Sequence, residues 1–557
     1  MRGAIEPPPL WRRPVRRVSF RSRGIDTLRS GPRPPPTRTD FVSEVPHASA
    51  GLAVRVALGA LALLAAGLGL RAWTSGDAPD PWKVSVAVMP FENRTGDPAF
   101  DNLGRSLAEE VISRLTTVSE VRVIDSYTAA SLMKDSLGTP RLLDTLNVEH
   151  IIHGYIEARG ADLVVNVSDS DRDGFLSLRT RHRLDPARVD VQQVALAGTV
   201  TRSFLADVGL EDRFDPGGSV IGPGRDAFLA GNEALGRRTP EGMREAVGHY
   251  RDAIGLEPTS AAALAALSSA YALALYYKYD VGVPSYDLAA RSLVAADSAI
   301  ALDPDVANGY SARGYIRALI GIELDEAEQD FARADELAPN APNGPSWSAR
   351  ILAGKGLVDQ AYREARRARD LDPLQAGRRT ALASLGFQLG DYAVTIEESR
   401  EAHRLEEELS LARAFEGRAL AMTGRGEECL RLDLGVYALV RALCLHALGR
   451  SGDADRLAEE AAGRITDGTA ALEDYLPEVV IQDLATYYGL VGNASETMRW
   501  IRAAFERSPS GVDDRLLGSE LFAPVRTDPS FTPTVDRILD EARARVVEMR
   551  SAVALPL

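Results

Sequence analysis

The residues with the strongest claim to chemistry lie between positions 150 and 180. Asp169-Ser170-Asp171-Arg172-Asp173-Gly174 has the D-x-D-x-D-G opening of a calcium loop, in which alternate carboxylates supply hard oxygen ligands. The twelfth position should bring a bidentate Glu, and it is Thr180. The segment also separates two alternating stretches, where Asp and Gly make a hairpin turn, so no metal site is expected. His150 and His153 are three apart; on a strand they face opposite ways and cannot share an ion. The loop Asn93–Asp97 holds one Gly and no Lys, unlike a phosphate cradle. The two cysteines, Cys429 and Cys444, exclude a Cys-rich metal module or a disulfide-stapled scaffold. Spacing leaves their pairing open, and they read as small buried apolar thiols. Without a Ser/His/Asp set, metal spacing or nucleotide loop, no catalytic residue, cofactor or enzymatic activity is expected.

The elements around these residues form a small α/β module, expected over 83–210. Lys83–Met89 alternates and then runs apolar, reading as a strand. Leu103, Leu107, Val111, Ile112 and Leu115 recur at helical spacing, and a second short helix is expected around Ala129–Lys134. Val121–Ile124 and Val148–Ile156 are further strands, and Asp162–Val167 pairs with Phe175–Arg181 as a hairpin.

The run Val86-Ala87-Val88-Met89-Pro90-Phe91-Glu92-Asn93, followed by Gly96-Asp97-Pro98, resembles the opening of the TolB-like N-terminal domain. Leu107-Ala108-Glu109-Glu110-Val111, Val121-Arg122-Val123-Ile124 and Asn147–Gly154 are similar to later parts of it, so the resemblance spans about 83–205. It implies a non-catalytic module in a bacterial protein that joins a membrane span to tetratricopeptide repeats.

Beyond a Pro/Gly linker over 211–224 the chain becomes rich in Ala, Leu, Glu and Arg. Ala246, Tyr250, Ala253 and Pro258 have spacings that return in Ala327, Phe331, Ala334, Pro339 and in Ala361, Ala365, Ala368, Pro373. The prolines at 304, 339 and 373 recur with the period of the tetratricopeptide repeat (TPR). Each unit is then a helix–turn–helix with small residues where helices approach closely, an aromatic one turn on, and Pro closing the second helix. The expected fold is mainly α: a TPR solenoid over 225–545, preceded by the α/β module, with a C-terminal tail over 546–557. The excess length between Pro258 and Pro304 is expected as a longer loop near Tyr276–Tyr286, and the pattern decays between 374 and 497.

Charge and hydropathy place the N-terminal part apart from these. The 557 residues carry a net charge of −15, yet residues 1–50 hold ten Arg against four acids, a local +6. Nine prolines in that stretch argue for a disordered basic tail over 1–49. Residues 50–73 are nearly all Ala, Leu and Gly apart from Arg55 and Arg71, and are long enough to cross a ~30 Å hydrocarbon core. The expectation is one transmembrane helix, a linker over 74–82, a cytoplasmic N-terminus and a body in the bacterial periplasm. A cleaved signal peptide is the alternative; the long preceding tail and the lack of a clean small-x-small site argue against it.

The expected work is that of a scaffold or adaptor binding unidentified protein partners on the concave face made by first helices. The family's pattern implies groove-facing positions at Asn308, Ser311, Tyr315, Ser346 and Arg350. The lipid bilayer is the second partner, through 50–73. The acidic body argues against nucleic acid. A transducer with the tail as its cytoplasmic output is the other reading; oligomeric state is open.

Overall fold

The computed structural model describes residues 82–124, 128–129, 139–172, 176–213, 222–341, 343–467 and 476–553. The tail over 1–49, the span expected over 50–73 and most of the helix expected at 129–134 lie outside the described residues. Among the described residues, no helix is long and apolar enough to cross a membrane.

The α/β module is built on strands β1 (Val84–Val88), β2 (Glu92–Asn93), β3 (Val121–Val123), β4 (His150–Arg159), β5 (Asp162–Asp171) and β6 (Leu176–Leu184). They order as β3-β1-β4-β5-β6, with β2 beside β4. β1 runs parallel to β3 and β4, whereas β4, β5 and β6 form an antiparallel meander. All five residues of β1 are buried, as in a central parallel strand covered on both faces. Val84, Val86 and Val88 pack with helices α1 (Asp101–Leu115) and α3 (Val189–Asp207), while Ala87 and Met89 meet Leu142, Leu143 and Leu146 of α2 (Thr139–Leu146). Gly104 lets α1 ride over the turn after β1, since a Cβ there would lie 1.8 Å from Phe91 O.

From 225 onward the chain is a solenoid of antiparallel helix pairs. The pairs are α4 (Arg225–Gly236) with α5 (Pro240–Leu256), α6 (Ala261–Tyr277) with α7 (Ser285–Leu302), and α8 (Ala307–Ile320) with α9 (Leu324–Leu337). They continue as α10 (Asn343–Gly354) with α11 (Val358–Leu371), and α12 (Ala376–Gln388) with α13 (Tyr392–Leu405). Next come α14 (Ser410–Met422) with the short α15 (Gly426–Leu430), α16 (Val440–Ala447) with α17 (Ser451–Thr466), and α18 (Pro477–Leu490) with α19 (Ala494–Arg507). A short α20 (Asp514–Gly518) and a long α21 (Phe531–Ala552) finish it.

The packing explains the repeated residue types. Ala246, Tyr250 and Ala253, Ala327, Phe331 and Ala334, and Ala361, Ala365 and Ala368 are all buried, and Pro258, Pro339 and Pro373 follow the ends of α5, α9 and α11. The aromatic of the second helix lies against a glycine of the first. A Cβ at Gly231 would lie 2.5 Å from Tyr250 Cε1, and one at Gly314 would lie 2.9 Å from Phe331 Cε1. The pairs therefore close to a distance that only the small residue permits.

Three expectations are corrected. The excess length before Pro304 is shared between the connection 278–284 and two lengthened helices, α6 and α7, of 17 and 18 residues. The tail expected over 546–557 is helical through Ala552: Val546 is buried, and Arg550 Nη2 pairs with Asp297 Oδ2 at 2.7 Å. Cys429 and Cys444 are not separate thiols but a disulfide with Cα atoms 5.6 Å apart, because α15 is cut to five residues and α16 packs beside it. That truncation is also why the repeat pattern fades there.

The module and the array are joined by the turns that follow second helices. Asn340, buried just after Pro339, donates from Nδ2 to Val118 O at 2.5 Å and to Val121 O at 2.7 Å. Arg122 Nη1 donates to Asp370 O at 2.9 Å, and Thr128 Oγ1 to Asp372 Oδ1 at 2.9 Å.

Candidate binding surface of the helical array

The first helices of a superhelix line its concave side, and here that side curls back on itself. Lys278, at the C-cap of α6, has φ of 60°, a left-handed conformation that turns the chain and lets its Nζ donate to Gly511 O at 2.8 Å. Ser510 Oγ donates to Leu275 O at 3.3 Å, Asp513 N to Gln482 Oε1 at 3.1 Å, and Tyr286 OH to Phe505 O. Val512, Leu516 and Leu517 are each 1% exposed. The stretch 508–517 therefore fills the centre that an open superhelix would leave for a partner's segment. One core accordingly runs from Ala234 to Val546, and a second, smaller one of Ala349, Ala353, Ala361, Ala365, Leu382 and Leu385 lies within α10 to α12.

Charges are buried at that centre. Arg418 is fully buried on α14 and pairs through Nη2 with Asp483 Oδ1 on α18 at 2.7 Å, flanked by the rings of Phe415 and Tyr437, each 5.5 Å away. Burial pushes the Asp483 carboxyl up, although Arg418 and Lys278 oppose it. Burial also pulls the Lys278 amine down to about 8, against the pull of Asp513, Glu478 and Asp483. A buried ion pair of this kind adds little net stability but makes the loss of either partner costly.

A cavity of about 50 Å³ lies beside this plug, lined by α6, α8, α10 and α12, the first helices of four successive pairs, and by the turn between α4 and α5. Tyr315 and Trp347 form one wall, stacked with centroids 4.4 Å apart and planes 18° apart. Tyr276 and Tyr277 form another, their rings meeting edge-on at 4.9 Å. Arg238, Arg350, Arg378, Gln375 and Ser346 supply the polar lining. Arg350 and Arg378 are 7% and 6% exposed, and Gln375 Oε1 accepts from Arg378 N at 3.2 Å, capping α12. Arg238 stands in the turn with φ of 55°.

Of the groove positions implied by the family's pattern, Tyr315, Ser346 and Arg350 meet in this cavity. Ser311 is buried elsewhere on α8, and Asn308 is exposed at its first turn; neither lines the cavity. Sequence reasoning passed over Arg238, Trp347 and Arg378. Arg378 lies on the first turn of α12, outside the positions that the family's pattern implies. Arg238 sits in a turn, where no periodicity applies.

In the α/β module the chemistry-bearing residues pair with one another. His150 Nδ1 meets Asp169 Oδ2 at 2.8 Å beneath Phe204, and His153 Nε2 meets Ser170 Oγ at 3.0 Å on the other face. Asp169, the first carboxylate of the calcium-like motif, is thus fully buried and engaged inside the sheet, while residues 173–175 lie outside the described ones. No cluster of three or more His, Cys, Asp or Glu suited to a metal occurs among the described residues.

No family model matches the chain. A Rhizobium meliloti (strain 1021) protein named "Putative adenylate cyclase 3" is 24% identical over 260 residues, covering 44% of this chain and 42% of that protein, so the chain spans less than half of that relative. The solved structure of yeast Tom70 is 15% identical over 63% of this chain and 83% of its own, with a TM-score of 0.33. Human IFIT1, solved as a dimer with PPP-AAAA, is 12% identical over 56% and 79%, with a TM-score of 0.32. A tetratricopeptide repeat protein from Parabacteroides merdae ATCC 43184 is 16% identical over 46% and 95%, with a TM-score of 0.27. These superpositions are loose, and the repeat character of the array rests on its own helix pairs and period.

Proposed function

We propose that the chain is a non-enzymatic, membrane-anchored scaffold whose helical array holds a protein partner outside the cytoplasm. The observation that carries this reading is the convergence of four successive first helices on the cavity holding Tyr315, Ser346 and Arg350. Residues 50–73 are the anchor, and the arginine-rich tail keeps the N-terminus inside. The Cys429–Cys444 bond supports an oxidising compartment for the array. The resemblance of 83–205 to a TolB-like domain supports a bacterial envelope setting. Removal of 50–73 as a signal peptide would leave the same array in the same compartment, unanchored.

A photo-cross-linking residue at Ser346 of the full chain tests the reading in cells. It should trap a discrete protein partner, and the same probe at the exposed Arg456 should not. Absence of a product at Ser346, or the same product at both sites, would sink it. Protease treatment of spheroplasts should digest the array without lysis; protection until lysis would overturn the compartment.

A second reading, coupling of the array to a cytoplasmic output, is favoured by the buried Asn340 contacts that tie the array to the α/β module. Deleting residues 1–45 should then abolish the cellular response while leaving cross-linking at Ser346 intact.

A further inference from the structure

We propose that the outer edge of β6 is a docking site for an extended acidic segment of a partner protein, which adds to the sheet as a further strand. β6 stands last in the order β3-β1-β4-β5-β6: β5 pairs along one side, and among the described residues no strand pairs along the other. Backbone groups on that side are a template for strand addition. Arg179, Arg181 and Arg183 alternate along β6, so they share one face at intervals of about 6.8 Å. All three are exposed. Opposite them on β5 stand Ser168, Asn166 and Val164, none of them acidic, and Arg181 Nε donates to the neutral Asn166 Oδ1 at 3.1 Å. Leu184 belongs to the opposite face, in the core with Val200 and Phe204 of α3, so the strand is anchored on one face and presents its arginines on the other.

The charge pattern selects the occupant. A second copy pairing antiparallel about Arg181 would set Arg179 against Arg183 and Arg181 against itself, and like charges directly opposite are unfavourable. The chain's own residues 1–50 carry a local +6 and are repelled in the same way. Tyr155, which shares this face on β4, is covered by the Arg94 guanidinium 4.2 Å from its ring centroid, so a nucleobase has no ring to stack on there. An acidic strand, by contrast, meets each arginine with every second side chain, in the spacing the sheet already uses, and the Arg fork accepts a carboxylate bidentately. Exposed ion pairs each contribute little, so main-chain hydrogen bonds hold the segment and the arginines choose its sign. This surface lies on the α/β module and does not rest on the reading of the array's cavity.

The test is fluorescence anisotropy of labelled probes with the purified full chain in non-ionic detergent at low salt. The probes are a strand-length peptide of alternating Thr and Glu, one of alternating Pro and Glu, one of alternating Thr and Lys, and a single-stranded oligothymidylate. The Pro/Glu peptide keeps the charge but loses half its backbone donors. Thr/Glu should bind saturably, with Pro/Glu and Thr/Lys each at least about tenfold weaker. Arg179→Glu/Arg181→Glu/Arg183→Glu should reverse the preference, losing Thr/Glu and gaining Thr/Lys by about tenfold each, and the gain itself shows that the edge is still folded. Arg181→Gln alone is the second variant should the triple one not fold, and should weaken Thr/Glu about threefold or more. Thr/Glu binding that survives the reversal belongs to the basic residues 1–50 and would overturn the proposal. So would Pro/Glu binding as well as Thr/Glu, tighter oligothymidylate, or no saturation by about 1 mM Thr/Glu. Cross-linking at Ser346 should be unchanged in the reversed variant, so failure at this edge and failure of partner capture by the array are distinguishable.

Discussion

The Lys278 amine donates to Gly511 O across 2.8 Å, tying the second helix pair to the turn that follows the eighth. A repeat array whose units touch only their neighbours would have no such contact. Here the chain closes, and the closure is held by a titratable group whose ionisation the fold opposes.

The amine titrates near 8 in the folded protein against 10.5 for an unperturbed Lys, with burial as the main cause. Between those values the unfolded chain binds more protons than the folded one, so this group makes stability rise with pH. Wild type should therefore gain on Lys278→Met as pH is raised from about 8 to about 10.5, measured by urea unfolding at each pH. A constant difference across that window would show that the amine is not enclosed.

Arg418 and Asp483 should behave as a unit. Asp483→Asn leaves a buried guanidinium without its counter-charge, and a loss of about 3–5 kcal/mol is expected. The double variant Arg418→Met/Asp483→Leu removes both charges and should recover most of that loss. Chemical denaturation of the single and double variants reads the coupling; additive losses would mean the two do not interact.

Much of the array was legible because its rules are local. The recurrence of Ala361, Ala365, Ala368 and Pro373 states which face is buried and where the helix stops, and the buried set agrees. Val86 and Val88 likewise identify a central strand by their apolar run. The closure was not legible, because it sums small rotations over eight helix pairs and no single window encodes that sum. Lys278, Arg418 and Asp483 lie in three distant stretches, each of which alone looks like an ordinary surface charge. The groove positions suffered similarly: Tyr315, Ser346 and Arg350 follow the repeat into the cavity, but Arg238 enters it from a turn.

The Cys429–Cys444 bond closes a loop with a sequence separation of 15 beside a truncated second helix. In the chain-entropy account such a loop contributes about 3 kcal/mol. Cys429→Ser/Cys444→Ser should lower stability by about 2–4 kcal/mol, and adding a reductant to wild type should match it. Mass spectrometry before and after alkylation should find no alkylated cysteine in the oxidised protein. Two alkylated cysteines without reduction would refute the bond, and with it the support it lends to an oxidising compartment.

His150 offers a pH signature of the α/β module alone. Burial disfavours charge on its ring, but the hydrogen bond and charge of Asp169 outweigh burial, and the ring's pKa is raised. A raised folded pKa means that the pair's contribution is fully present below the unfolded value, near 6.5, and is lost as pH climbs through the folded value. The other two histidines of the sheet, His153 and His182, are shifted down by burial, so they tilt the wild-type profile the opposite way. The difference between wild type and His150→Gln cancels their effect. That difference should be about 1.5–3 kcal/mol at pH 5.5 and shrink steadily toward pH 8.5, read by thermal unfolding of both proteins in parallel. A difference that grows with pH would mean that the ring is held neutral in the folded module.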